Sequence, residues 1–404
     1  MLSFIEARQK VIEVVGARRK LPPRERIEIG QALSRVLAEQ VVADRDYPPF
    51  DRATRDGFAV RAGDLTPLPA TLEIIGEIKA GDTFAGTVGA GQCVEIMTGA
   101  GVPPGADAVV MIEHTKPSKS RVLVERAVEP WQNIVRRGSE ARAGQVLLQP
   151  GTRLGYAELA LAAQVGAQPL PAYVRPRVAI LSTGDEVVGL DEKPGPFQIR
   201  NGNSVSLVAQ VALAGAVPVA LGNAPDRMEE LRARVERGLD ADVLLLSGGV
   251  SMGKYDLVAA VLRALGAEFF FAGVAIRPGR PAVFCACREK FVFGLPGNPV
   301  STMVTFELFG LPAIDLLSGA APRPLPLLRA RVARPLSQKA ALTHFLPGQL
   351  AWSNGEPIVR ELPWQGSGDL VTLAQANCFL LVPPTKLSFA AGEWVDVLPR
   401  RDVW

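Results

Sequence analysis

Four short strings carry side chains and backbone geometry suited to chemistry: STGDE at 182–186, SGGVSMGKYD at 247–256, IRPGRP at 276–281 and LPGNPVST at 295–302. The second and fourth follow apolar runs, DVLLL and FVFG. Loops of this kind belong at the carboxyl ends of parallel strands, where open α/β sheets bind ligands. Successive loop amides and helix N-termini attract anions. The strings therefore predict a site for an anionic small molecule at one edge of an α/β sheet.

Gly248 and Gly249 let backbone approach an anion closely, and Ser247 and Ser251 add hydroxyl donors. The order of residues is not that of a Walker A loop. Thr183, Gly184, Asp185 and Glu186 follow the buried run RVAIL, Asp226 ends the loop after VPVAL, and Asp256 closes the third loop. Carboxylates from three loops at one edge suit Mg²⁺, which takes few protein carboxylates and shares substrate phosphates. Asp226 alone is as well explained as a helix N-cap, with Glu229 three residues on. Arg277 and Arg280 flank a stiff Pro-Gly turn and can aim at one tetrahedral oxyanion; a solvated turn is the alternative. Pro296, Gly297 and Pro299 pin the last loop, with Pro299 in the first helical turn.

Around these strings the chain reads as several units, since 404 residues suggest roughly two to four domains. The segments 1–47 and 136–175 read as a discontinuous helical linker domain. It has a first helix behind a Ser3–Glu6 capping box, a second carrying Ile29, Leu33, Val36, Leu37 and Gln40 on one face, and a third near 156–165. Residues 48–135, where short Val/Ile runs alternate with glycine turns, read as an inserted all-β domain of barrel or sandwich type. From 176 to 320 strands alternate with helices, which predicts a doubly wound, mostly parallel sheet. After a proline-rich linker, 327–404 reads as a small β-barrel-like domain. The fold class is thus α/β and β, multidomain.

Composition excludes several functions. Lys plus Arg number 44 against 41 Asp plus Glu, which argues against bulk nucleic-acid binding. The four cysteines form no C-x-x-C pair, and Cys285 and Cys287 read as buried, inert thiols. Two histidines are too few for a multi-histidine metal site, and His114 reads as a surface or core hydrogen-bonding residue. No secretory leader and no long uncharged apolar run stands out, so a cytoplasmic, membrane-free protein is expected.

Taken in order, PPFDRATRDGFAVRAGDL, EIMTGAGVPPGADAVVMIE, the Arg136-Arg137 segment, STGDEV, SGGVSMGKYD, IRPGRP and LPGNPVS closely resemble the molybdopterin molybdotransferases, a group that includes the C-terminal part of gephyrin. The resemblance spans nearly the whole chain. It implies insertion of molybdate into adenylylated molybdopterin with Mg²⁺-assisted release of AMP. It further implies catalytic roles for Asp56, Thr98, Glu186, Asp226 and Asp256, with Glu186, Asp226 and Asp256 facing a metal. Cofactor-binding roles fall to Thr183, Gly184, Asp185, Ser247, Gly248, Gly249, Ser251, Arg277, Arg280, Pro296, Gly297, Pro299, Arg137 and Ser367. The resemblance also implies a homodimer with a cleft shared between subunits, and contact with the adenylyltransferase and molybdoenzyme-maturation proteins. An adenylyltransferase and a gephyrin-like scaffold are the competing functions. Lys254, Arg52, Arg55, Glu140 and His344-Phe345 depart from the family pattern.

Overall fold

The computed structural model describes residues 1–249, 257–338 and 342–403. Ser251, Lys254 and Asp256 lie outside them. The central unit is a six-stranded sheet in the order Val217–Ala224, Arg177–Thr183, Val243–Ser247, Lys290–Leu295, Val283–Cys287, Glu268–Ala272. The first four strands pair in parallel; Val283–Cys287 is antiparallel to both its neighbours, so Glu268–Ala272 points the same way as the first four. Their apolar residues face two clusters, one on each side of the sheet. This double burial explains why VLLLS and FVFGL read as continuous hydrophobic runs rather than alternating ones. Cys285 and Cys287 are buried here as expected, and burial pushes the Cys285 thiol up to about 12.

Helices pack on both faces. Gly202–Ala214 starts at the N-cap Asn201 and stops at Gly215, whose φ of 93° suits glycine. Pro299 opens a helix that continues to Leu317. This 19-residue helix meets the length and hydropathy of a membrane span, but Glu307 and Asp315 interrupt it, so it is not the long uncharged run whose absence was expected. Because 83% of its apolar window is buried within the fold, it is a core helix.

The N-terminal third departs most from expectation. Phe4–Arg18 is a helix, and its Ser3–Glu6 capping box is present. However, Phe4, Ala7, Val11 and Val15 join the core of the α/β sheet and do not pack on the helix Tyr156–Gln164. The second expected helix does not form: Ile29–Gln31 is a single 3-10 turn, Ser34 has a φ of 64°, and Val36 and Leu37 bridge to Arg153 and Ala172. Leu33, which a helix would have buried beside Leu37, is 58% exposed. Two adjacent buried residues, Val36 and Leu37, are better served by extended chain laid against residues 153 and 172. Residues 27–47 and 141–172 nevertheless share one apolar cluster.

The insert holds a six-stranded sheet ordered Ala108–Met111, Gly57–Val60, Gln92–Ile96, Ala70–Ile78, Arg121–Val124, Thr115–Ser118, with Arg52–Ala53 and Ile134–Val135 paired apart from it. In the C-terminal unit Thr343–Ser353, Glu356–Glu361, Leu328–Val332, Trp394–Pro399 and Cys378–Val382 close into a barrel, the last strand returning to the first. Ile276–Arg277 joins this barrel by parallel pairing with Thr343 and His344, which ties the basic turn to both units.

Candidate active site

The site is assembled by strands that end at one edge. Ser247 and Thr183 are the last residues of neighbouring parallel strands, and both are buried. Beyond Ser247 the chain turns on Gly248 (φ 94°) and Gly249 (φ 65°), conformations that glycine adopts without steric cost. Space enforces the same choice: a Cβ on Gly248 would lie 2.7 Å from the Thr183 carbonyl oxygen, and one on Gly249 2.7 Å from Thr183 Oγ1. Gly248 N–H donates to the Leu295 carbonyl (3.1 Å), and a Cβ on Gly297 would lie 3.4 Å from Gly248 Cα. Thr183, Ser247, Gly248, Gly249 and Gly297 therefore form one cradle. Inside it Thr183 Oγ1 is buried and lacks a hydrogen-bond partner among the described residues. A buried hydroxyl left this way costs free energy until something polar reaches it, so the cradle is shaped for a ligand.

The acids sit beside this cradle. Asp226 N–H donates to Asp185 Oδ1 at 3.2 Å, so the loops after the first two parallel strands touch. The Asp226 carboxyl is raised above its ordinary value, first by burial and then by the charges of Asp185 and Glu186. No ion pair among the described residues neutralises the three. Asp226 is not the helix cap that its spacing also allowed: Arg227 occupies the N-cap of Met228–Gly238, and no side chain caps that helix. Asn223 Nδ2 fixes the first loop by donating to the carbonyls of Gly184 (2.8 Å) and Val187 (3.0 Å). A cleft of about 720 Å³ opens next to it, lined in part by Asp185, Val188, Asn201 and Asn223.

The last loop leads into the long helix. Asn298 Nδ2 donates to Ser367 Oγ (2.7 Å) and Val300 N–H to the Ser367 carbonyl (3.0 Å), so Ser367 is tied to the loop just after Gly297. The Arg277–Arg280 turn lies further along: a Cβ on Gly279 would meet Thr305 of the same helix, about 9 Å along its axis from Pro299. Arg277 and Arg280 are exposed.

Two expected groups stand apart. Asp56 Oδ1 accepts from Thr98 N–H (2.6 Å) and Thr98 Oγ1 (2.7 Å), which holds its carboxyl below the usual range; both residues are exposed on the insert. Arg137 Nε donates to Asp46 (2.9 Å) and its N–H to Asp51 (2.8 Å), so it ties the linker region to the base of the insert. Neither is hydrogen-bonded to the cradle. Asn201, Asn203 and Asn223, which brace these loops, were not among the expected site residues, because asparagine at a strand end or helix start is too common to single out.

Comparison with known proteins decides the family. Residues 2–166 match the MoeA N-terminal region (domain I and II), 179–316 the probable molybdopterin binding domain, and 329–399 the MoeA C-terminal region (domain IV). The molybdopterin molybdenumtransferase of Bacillus subtilis is 35% identical over 388 residues, covering 94% of this chain and 90% of the relative. The chain belongs to the molybdopterin molybdenumtransferase family. Membership makes it an enzyme of the transferase class. The enzyme of the same name from Nostoc is also 35% identical, over 93% of this chain and 88% of its own length. The fold agrees: a molybdopterin biosynthesis moeA protein from Pyrococcus horikoshii OT3 superposes with a TM-score of 0.80 at 29% identity, covering 99% of this chain and 100% of its own.

Proposed function

We propose that this enzyme inserts molybdate into adenylylated molybdopterin at the carboxyl edge of its α/β sheet and releases AMP in a Mg²⁺-dependent step. The observation that carries this reading is the glycine cradle with its unpartnered Thr183 hydroxyl, directly beside an uncompensated trio of acids. A phosphate or a tetrahedral oxyanion needs backbone approach and neutral donors, which Gly248, Gly249, Ser247 and Thr183 offer. Arg277 and Arg280, exposed on a turn further along the long helix, would add positive charge for an anion that extends in that direction.

Among the described residues no three acids close around an ion by themselves. That fits Mg²⁺, which takes one or two carboxylates and completes its shell with water and substrate phosphates. Glu186 and Asp226 would hold it, with Asp185 adjoining and Asp256 assigned from the sequence. Bound there, the ion supplies charge neutralisation at the phosphoanhydride. The cradle then keeps the pterin phosphate and the oxyanion at a fixed separation, which is the main service a protein can give to such a displacement.

The Asp56–Thr98 pair is proposed to serve the cradle of a second copy in a homodimer with a shared cleft. The pair is preorganised and exposed, yet bonded only within its own insert. A cytoplasmic setting, and transient contact with the adenylyltransferase and with molybdoenzyme-maturation proteins, complete the reading. The deciding assay incubates the purified chain with Mg²⁺ and adenylylated molybdopterin. AMP release that rises on adding molybdate is expected; release indifferent to molybdate would overturn the proposal.

A further inference from the structure

The helix Gly202–Ala214 begins at the same sheet edge as the cradle, and its first turn reaches three loops. Asn201 Oδ1 accepts from Ser204 N–H (3.0 Å) and from Ser182 Oγ (2.9 Å). Asn203 Nδ2 donates to Ser247 Oγ (2.9 Å) and to the Gly297 carbonyl (2.6 Å). A carbonyl oxygen can only accept, so the atom facing Gly297 must be the amide nitrogen, and the orientation of Asn203 is fixed by chemistry.

We infer that Asn203 is a positioning residue that locks the two glycine loops of the cradle together and sets the direction of the Ser247 proton. Gly248, Gly249 and Gly297 carry no side chains, and glycine backbone is the freest to move. One amide group spending its two hydrogens on two loops removes that freedom. There is a second consequence. Ser247 Oγ accepts from Asn203, which leaves its own O–H to donate elsewhere, and the cradle is the space beside it. Asn203 thus converts Ser247 into a donor for an anion. This inference rests on the reading of these loops as the anion cradle.

The test compares Asn203→Asp and Asn203→Ala in the full-length chain. Binding of molybdopterin is measured at equilibrium, and exchange is followed at the Gly297 and Asn298 amides. With Asn203→Asp near neutral pH, a carboxylate oxygen faces the Gly297 carbonyl and draws the Ser247 proton toward itself. Affinity for molybdopterin should fall about tenfold or more, and loop exchange should quicken by a similar factor, with the melting temperature close to that of wild type. Lowering the pH until the introduced carboxyl is protonated restores a donor toward Gly297. Relative to wild type, Asn203→Asp should then recover, while Asn203→Ala should not. Wild-type affinity and wild-type exchange in a folded Asn203→Asp chain would overturn the inference, as would equal losses in both variants at every pH. Should Asn203→Asp fail to fold, Asn203→Ser, which keeps a donor for one partner, should show a smaller change in both measurements; no change in either would overturn the inference too. If wild type itself binds no molybdopterin, the functional reading fails instead, and loop exchange still judges the brace.

Discussion

At the carboxyl edge of the α/β sheet, Ser182, Ser247 and Gly297 come from three strand ends and are joined through two asparagines on one helix. At the insert, the Asp56 carboxylate finds both its hydrogen bonds on Thr98, in the loop just after a strand of the same sheet. The cradle is shaped by contacts between distant parts of the chain, so disturbing one loop disturbs the others. The Asp56–Thr98 pair is set locally and then offered to solvent. A group prepared in this way is useful only if something else is brought to it, which is the physical reason for assigning it to the site of a second copy.

This contrast can be broken from either side. The largest effect is expected from Gly57→Ala, whose Cβ would stand 1.9 Å from the Val110 carbonyl oxygen. Since the insert has no slack there, about 3 kcal/mol or more should be lost. Limited proteolysis should then cut within 48–135 while the α/β unit stays intact. Uniform cleavage along the chain would show that the insert is not an independent support for Asp56. Next comes Gly248→Ala. Its Cβ would meet the Thr183 carbonyl oxygen at 2.7 Å on a backbone with φ of 94°. The strain is about 1–3 kcal/mol, and displacement of the cradle should lower molybdate-dependent turnover roughly a hundredfold.

The electrostatic predictions are smaller. Because Asp226 has a raised carboxyl, its neutral form is favoured in the fold. Any stability linked to it is present below the ordinary carboxylate range and is lost as pH rises through its folded value. Asp226→Asn should therefore stabilise the protein slightly near neutral pH, by chemical melts, and Mg²⁺ should lower the Asp226 titration midpoint followed by NMR. An unmoved midpoint at saturating Mg²⁺ would remove this acid from the cation site. Asp56 runs the other way: its lowered carboxyl contributes stability above the ordinary carboxylate range, lost as pH falls through the folded value. Thr98→Val removes the hydroxyl donor and keeps the backbone N–H, which is the larger cause, so it should raise the Asp56 midpoint only part of the way to its ordinary value without unfolding the insert. If the midpoint does not rise, the Thr98 hydroxyl does not help to prepare Asp56.

What was legible in the sequence follows from how each residue acts. Gly248, Gly249, Gly297 and Pro299 impose backbone conformations, so their spacing after apolar runs announces a loop and a helix start. Thr183, Asp185 and Asp226 follow from the strand order. Asn203 was not legible, because asparagine is common at helix starts and only the fold reveals that its amide spans two loops. Leu33 misled for a related reason: its spacing from Ile29 and Leu37 matches a helix, but Val36 and Leu37 are both buried and the chain there is extended. The relation proposed between Asp56 and the cradle was out of reach of periodicity altogether, since periodicity reports on one chain's own elements and the proposal involves a second copy.

The most direct test of the two-chain site is complementation. Asp56→Ala and Gly248→Ala, each inactive as a homodimer, are co-produced in equal amounts and assayed for molybdate-dependent turnover. Halves contributed by different subunits predict that mixed dimers regain one intact site of two, which restores about a quarter of wild-type activity. Mixed dimers that form and remain inactive would contradict the account.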